Sequence, residues 1–171
     1  MTRFTVIFIV LVVSLFALEL FEPIRQAVIL PFTGFLATFS SAIMQIFDAD
    51  VESVKDVIRS AKTGQAVQIA AGCNGVEAVI VLFAAIFAFP SSFIHKMIGF
   101  VIGFFAIQVL NVIRIISLYY LLQWDKNWFD WFHLYLWQAL IIIDALIVWL
   151  VWLRYLPKKQ SPRLDNNSVT A

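Results

Sequence analysis

Three side chains have the types needed for acyl transfer: Cys73, Arg114 and His133. A thiolate is a nucleophile. An arginine can fix positive charge where an oxyanion develops. A histidine moves protons near neutral pH. Singly, each has an ordinary reading: a lone cysteine in an apolar chain is more often an inert small hydrophobe, an arginine near the end of an apolar helix can snorkel to headgroups, and a histidine in a Trp-rich stretch can be an interfacial aromatic. Depth in the membrane brings the three together. Cys73 precedes an apolar run at 76–94, which at ~1.5 Å per residue makes a helix of ~30 Å, one bilayer crossing. His95 then falls on the far side. From Lys96 the chain climbs ~27 Å by the same rise before it reaches Arg114, and His133 opens the next apolar run after a short loop. Cys73, Arg114 and His133 therefore share one face of the membrane, and His95 is excluded.

The neighbours fit that reading. Gly72 and Gly75 bracket Cys73 and Asn74 where polar chain turns into apolar helix. The glycines allow close approach of backbone to a substrate, and a helix N-terminus favours thiolate. Glu77 lies one turn beyond Cys73 and would counter Arg114 or orient His133; alternatively it is a helix-start carboxylate that suits the dipole. Asn111 lies one turn before Arg114 on the same side of its helix. Asp144, deep in the last apolar run, is given a packing or folding role.

The elements that must position these groups are membrane helices. Apolar residues make up 62% of the 171-residue chain and charged residues 13%, against about 45–50% and about 25% in soluble domains. A chain this short cannot hide that surface from water, and its mean hydropathy is +0.90. The net charge of +1, with no one-signed block, argues against nucleic acid. One cysteine rules out an intrachain disulfide, and two histidines leave few metal ligands. There is no Gly-rich phosphate loop or serine-nucleophile motif, so no cofactor or metal is expected.

The segments divide as follows. Residues 1–22 form an N-terminal anchor span. Residues 23–47 are uncharged apart from Arg25 and soft, and form an interfacial amphipathic helix or a further span. Residues 48–72 are an extracytoplasmic polar segment holding a small β-hairpin, 57–60 with 65–69, turned at Gly64. Residues 73–156 form a three-span core, with spans at 76–94, 97–122 and 134–153, a tight turn at His95-Lys96 and an aromatic loop at 124–132. Residues 157–171 are a disordered tail whose Lys158, Lys159 and Arg163 place it in the cytoplasm with Arg154, Lys96 and Arg3. That orientation needs an even number of spans. The expected fold is thus an all-α helical bundle of about four spans, an interfacial helix and the hairpin.

At Ala71-Gly-Cys-Asn-Gly-Val-Glu77, then Asn111-Val-Ile-Arg-Ile-Ile116, then Phe132-His133, the sequence resembles the exosortase/archaeosortase family, multi-spanning membrane cysteine proteases and transpeptidases. The family's Cys-(Ser/Asn)-Gly motif, Asn-x-x-Arg motif and later histidine stand here in that order, over roughly 23–152. Val76 replaces a more usual Leu, and Trp137 stands where many members have Gly. The short chain is similar to the compact exosortase H type.

The resemblance implies catalytic Cys73, Arg114 and His133, supported by Asn74, Gly75, Glu77 and Asn111. It implies action at the extracytoplasmic side of a bacterial inner membrane. The partners would be exported proteins that end in a motif (Ile-Pro-Thr-Leu-like for the compact type), a transmembrane helix and a basic cluster, with membrane lipid around them and a lipid or glycan as a further acceptor. From the residues alone, two alternatives stay open: a non-enzymatic membrane scaffold or transporter subunit, and a cysteine acyltransferase.

Overall fold

The structure, a computed structural model, describes residues 2–70 and 72–156. The expected disordered tail 157–171 lies outside the described residues, as does Ala71 at the head of the cysteine motif.

Five helices and one small sheet make up the fold. Helix α1 (Thr2–Leu20) is almost wholly apolar and ends where Phe21 turns extended, with ψ 117°. Helix α2 (Glu22–Met44) follows at once, with Pro23 in its first turn, where a missing N–H costs nothing. Pro31 cannot donate to the carbonyl of Ala27, and the turn just before it, Arg25–Ile29, widens to a π-turn closed by the Leu30 N–H on the Arg25 carbonyl. After the sheet come α3 (Val76–Ala88), α4 (Phe93–Trp124) and α5 (Lys126–Arg154).

Four of these helices, α1, α2, α4 and α5, are long and apolar enough to cross a membrane. They are not the four expected. Helix α2 joins the set, and α3 is shorter than the apolar run that marks it. The helix expected over 76–94 stops at Ala88, because Pro90 pushes the preceding residue out of the helical region and Phe89 is extended, with ψ 136°. Thirteen residues cover only ~20 Å, and the non-helical stretch 89–92 completes the passage. His95 and Lys96, expected in a tight turn, lie instead in the first turn of α4, where Ser92 Oγ is 2.7 Å from His95 Nδ1.

The polar segment is a three-stranded antiparallel sheet in the order β1 (Val51–Val54), β2 (Val57–Ser60), β3 (Ala66–Gln68). The expected hairpin is β2–β3, with Gly64 at φ +72° in its loop. Strand β1 was not expected. Its Glu52 pairs across the ladder with Arg59 at 2.8 Å, while Val51 and Ile58 turn inward.

Two apolar cores result. Val51 and Ile58 of the sheet pack with Leu36, Ala37 and Met44 of α2 and with Tyr119 of α4. In the second core, α3 packs through Ala78, Leu82 and Ile86 against Ile107 of α4 and against Ala145 and Trp152 of α5. Glycines permit this approach: a Cβ at Gly99 would collide with the Trp152 ring, and one at Gly103 with Leu82 and Val148. The outward faces carry exposed Val6, Val10, Val13, Ile102, Phe105, Val109, Ile142 and Leu146. An apolar exterior around an internally bonded helical bundle is what a bilayer requires.

The bundle has two distinct ends. Phe4 packs on Phe89 and Trp149, Lys96 Nζ donates to the Phe87 carbonyl, and Trp152 Nε1 donates to the His95 carbonyl. Arg3, Lys96 and Arg154 therefore gather at one end. The sheet, the start of α3, Arg114 and the start of α5 lie at the other.

Candidate active site

The loop 69–75 presents Cys73 and is held from three sides. Asn74 is fully buried; its Oδ1 accepts the Val76 N–H at 3.0 Å, closing an Asx turn at the entry to α3, and its Nδ2 donates to Thr33 Oγ1 on α2 at 3.3 Å. Glu77 reaches back, and its carboxylate accepts the Gly72 N–H. Arg114, on α4, donates from Nη1 to the Gly72 carbonyl at 3.0 Å. One peptide segment is thereby gripped at its N–H by an anion and at its carbonyl by a cation.

Glu77 was expected to counter Arg114 or orient His133. Neither a direct ion pair to Arg114 nor a hydrogen bond to His133 forms among the described residues, whose ion pairs are Arg25–Glu22 and Arg59–Glu52. A carboxylate one turn past the loop meets the loop's own N–H first.

Gly75 caps α3 with φ +74°. A Cβ there would sit 3.1 Å from Gln108 Nε2 and 3.4 Å from Asn111 Cγ. The backbone conformation favours glycine, and a Cβ would also crowd these two amides. Gly75→Ala is expected to lower stability by ~1–2 kcal/mol for the left-handed conformation alone, with the crowding added. Gly64→Ala, at φ +72° but with nothing within 4 Å, is expected to lose less. Thermal unfolding of both variants in detergent checks the order, and equal losses would contradict it.

Arg114 is 1% exposed and is the largest fully buried side chain among the described residues. Its Nη2 lies 3.5 Å from Cys73 Sγ. The Cys73 N–H is taken up by the Ala70 carbonyl at 3.0 Å, so the guanidinium, and not the cysteine's own amide, is the donor beside the sulfur. A guanidinium with further N–H groups next to a nucleophile is placed to receive a developing oxyanion.

His133 lies in a π-turn, Phe132–Leu136, closed by the Trp137 N–H on the Phe132 carbonyl. The extra residue per turn re-aims the side chain, a device common at functional sites. Its ring stacks on Phe129 at 5.6 Å with a 5° interplanar angle. Its Nδ1 is buried with no hydrogen-bond partner among the described residues. Cys73, Arg114 and His133 line one cavity of about 310 Å³, walled by β3, by Ile115 and Leu118 of α4, and by Phe129. No hydrogen bond joins His133 to Cys73 among the described residues.

The thiol does not behave as a helix N-terminus alone implies. Burial pushes the Cys73 pKa up; the Arg114 charge pulls it down by less, and Glu77 adds to the rise. Burial wins because the sulfur sits in an apolar-walled cavity and two residues short of the helix cap. The neutral thiol is therefore favoured at rest. At neutral pH, iodoacetamide should alkylate Cys73 more slowly than free cysteine, with a rate still climbing through the ordinary thiol range. Arg114→Gln should slow it further. A plateau below the free-thiol range would contradict this.

The sequence reading missed three contributors and gave Gly72 a different part: singled out for close backbone approach, it also serves through its N–H and carbonyl, which hold Glu77 and Arg114. Thr33 anchors Asn74 from α2, in a segment read from sequence only as soft and interfacial. Phe129 seats the imidazole. Gln108 was legible, since Gln108, Asn111 and Arg114 recur at helical spacing along one face. Gln108 and Asn111 are buried, and their amides have no partner among the described residues. Asn111 shares a cavity of about 10 Å³ with Asp144, Trp137 and Arg114. Asp144, given a packing or folding role from the sequence, thus lines the same small cavity as Asn111. His95, excluded by depth, is indeed at the opposite end, beside Trp152.

The family model of the transmembrane exosortases, EpsH type, matches residues 1–149. This chain belongs to the transmembrane exosortase family. No curated protein and no solved structure matches it. The matched stretch includes all five helices up to the last turns of α5 and every residue of the cavity. The exosortase family is one of membrane cysteine proteases and transpeptidases, and this member is a multi-pass membrane protein.

Proposed function

We propose that this exosortase is a membrane-embedded cysteine protease/transpeptidase that removes the C-terminal sorting signal of exported proteins through a thioester acyl-enzyme. The observation that carries the reading is the single cavity shared by Cys73, Arg114 and His133. His133 takes the thiol proton as Sγ attacks the scissile carbonyl. The tetrahedral oxyanion lies against the Arg114 guanidinium. Collapse breaks the C–N bond, and His133 returns the proton to the leaving amine. Water or an acceptor nucleophile, a lipid or glycan, then attacks the thioester and frees Cys73. Asn74, Gly75 and Glu77 hold the loop, and Asn111 supports α4 beneath Arg114.

The basic end of the bundle, with Arg3, Lys96 and Arg154, is cytoplasmic by the positive-inside rule. The cavity then opens on the extracytoplasmic side of a bacterial inner membrane. Helix α2 lies in the interface there. Its first residue follows the end of α1, where Glu19 is within electrostatic reach of Glu77, and its last turn packs Met44 with Tyr119. These contacts at both ends of α2 support an interfacial helix at the cavity end, with α1, α3, α4 and α5 as the four crossings.

The test is co-expression with a reporter that ends in an Ile-Pro-Thr-Leu-like motif, a transmembrane helix and a basic cluster. The wild-type chain should shorten it, and a reporter with a scrambled motif should stay intact. Equal processing of both reporters, or of neither, would contradict the reading.

A further inference from the structure

Strand β3 is the last strand of the sheet, and its outer edge borders the reactive cavity. The register fixes which main-chain groups face that edge. The Ser60 N–H donates to the Gln65 carbonyl at 2.9 Å, and the Ile69 N–H to the Asp56 carbonyl at 2.8 Å. Cα partners along β2–β3 are Arg59–Ala66, Ile58–Val67 and Val57–Gln68. In an antiparallel ladder, hydrogen-bonded pairs alternate with non-bonded ones. Val67 and Ile69 therefore direct their N–H and C=O toward β2, as Gln65 does its C=O, while Ala66, Gln68 and Ala70 direct theirs away. The Ala70 carbonyl accepts the Cys73 N–H. The outward groups of Ala66 and Gln68 pair with no strand among the described residues. Both residues are exposed, and both line the cavity with Cys73, Arg114 and His133.

An unpaired strand edge is a template for another strand, and extended peptides are commonly recognised by adding to one. This edge leads straight from Gln68 through Ile69 and Ala70 to the nucleophile. We propose that the extended recognition segment of the substrate adds to the sheet as a fourth strand against β3. It would bond to the N–H and C=O of Ala66 and Gln68, which carries its scissile carbonyl over Cys73. Main-chain pairing supplies the alignment. The cavity, walled by Ile115 and Leu118, receives every second side chain, so specificity falls on alternate positions of the motif. The pairing rests on the peptidase reading of the same cavity.

The test uses a reporter peptide carrying the motif, N-methylated at one backbone position at a time, with the full-length protein in detergent. Pairing predicts a period of two. Methylation at alternate residues should raise KM about tenfold for each lost hydrogen bond, with little change at the residues between. Gln68→Pro removes one outward N–H at a site where an edge strand tolerates proline. It should raise KM similarly and kcat less, with a loss of thermal stability close to that of Gln68→Ala, which also gives up the Gln68–Asp56 side-chain bond at 2.8 Å. Processing with no alternation along the peptide, or with KM unchanged in Gln68→Pro, overturns the pairing and leaves the peptidase reading standing. A parent peptide left intact, like the full reporter, overturns both.

Discussion

Cys73→Ala is expected to stop processing, with a loss of at least about three orders of magnitude, because no other group in the cavity can form the acyl-enzyme. Cys73 is the only cysteine in the chain, so no second thiol can substitute. Folding should survive the change. The sulfur is only half-buried and accepts one long contact, from Arg114 at 3.5 Å. The loop is held through Gly72, Asn74 and Glu77 and not through the thiol. Cys73→Ser should fail nearly as badly, since a hydroxyl in the same apolar-walled cavity ionises far less readily than a thiol. Reporter cleavage at matched membrane levels, with thermal unfolding of each variant, measures both halves of this expectation. A Cys73→Ala variant that processes at the normal rate would remove the nucleophile from the account.

Arg114→Lys should lower processing by about 10²–10³-fold, the scale of losing an oxyanion donor. The guanidinium bonds the Gly72 carbonyl and the Cys73 sulfur at once, from two nitrogens in one plane. An ammonium is a point donor on a flexible stem and cannot hold both. The charge is kept, so a purely electrostatic role would be largely rescued; the fork geometry predicts that it is not. Stability should fall less than activity. Losing the Gly72 bond costs about 1–3 kcal/mol, offset in part because a buried charge in this environment is itself expensive. A Lys variant with near-normal turnover would assign Arg114 to the fold and not to the reaction.

Much of this site was legible from charge and depth. A charged residue in an apolar run must have a reason, and that alone singled out Arg114. Counting rise along the helices placed it beside Cys73 and sent His95 to the far end, although the ruler was partly wrong. The run at 76–94 was measured by the absence of charge, which says nothing about Pro90. The passage still reaches the other end because the chain continues past Ala88 without a helix. The hairpin was visible through Gly64 and its flanking apolar residues. Strand β1 was hidden because polar Ser53 faces inward and apolar Val54 outward, so its four residues do not alternate apolar with polar. Helix α2 reads as soft because its polar residues, such as Thr33 and Ser41, face the loop and the sheet. What composition could not give was the role of main-chain groups. The Gly72 carbonyl, the Gly72 N–H and the free edge of β3 carry no residue signature, and they set where Arg114, Glu77 and a substrate strand attach.

The central claim is a thioester on Cys73. Its most direct test is mass spectrometry of the enzyme quenched in acid during turnover of the reporter. The account predicts an added mass on the peptide containing Cys73 that equals the acyl portion of the cleaved reporter, is released by hydroxylamine and is absent in Cys73→Ala. Ongoing processing with no adduct on that peptide, or with the adduct on another residue, would contradict it.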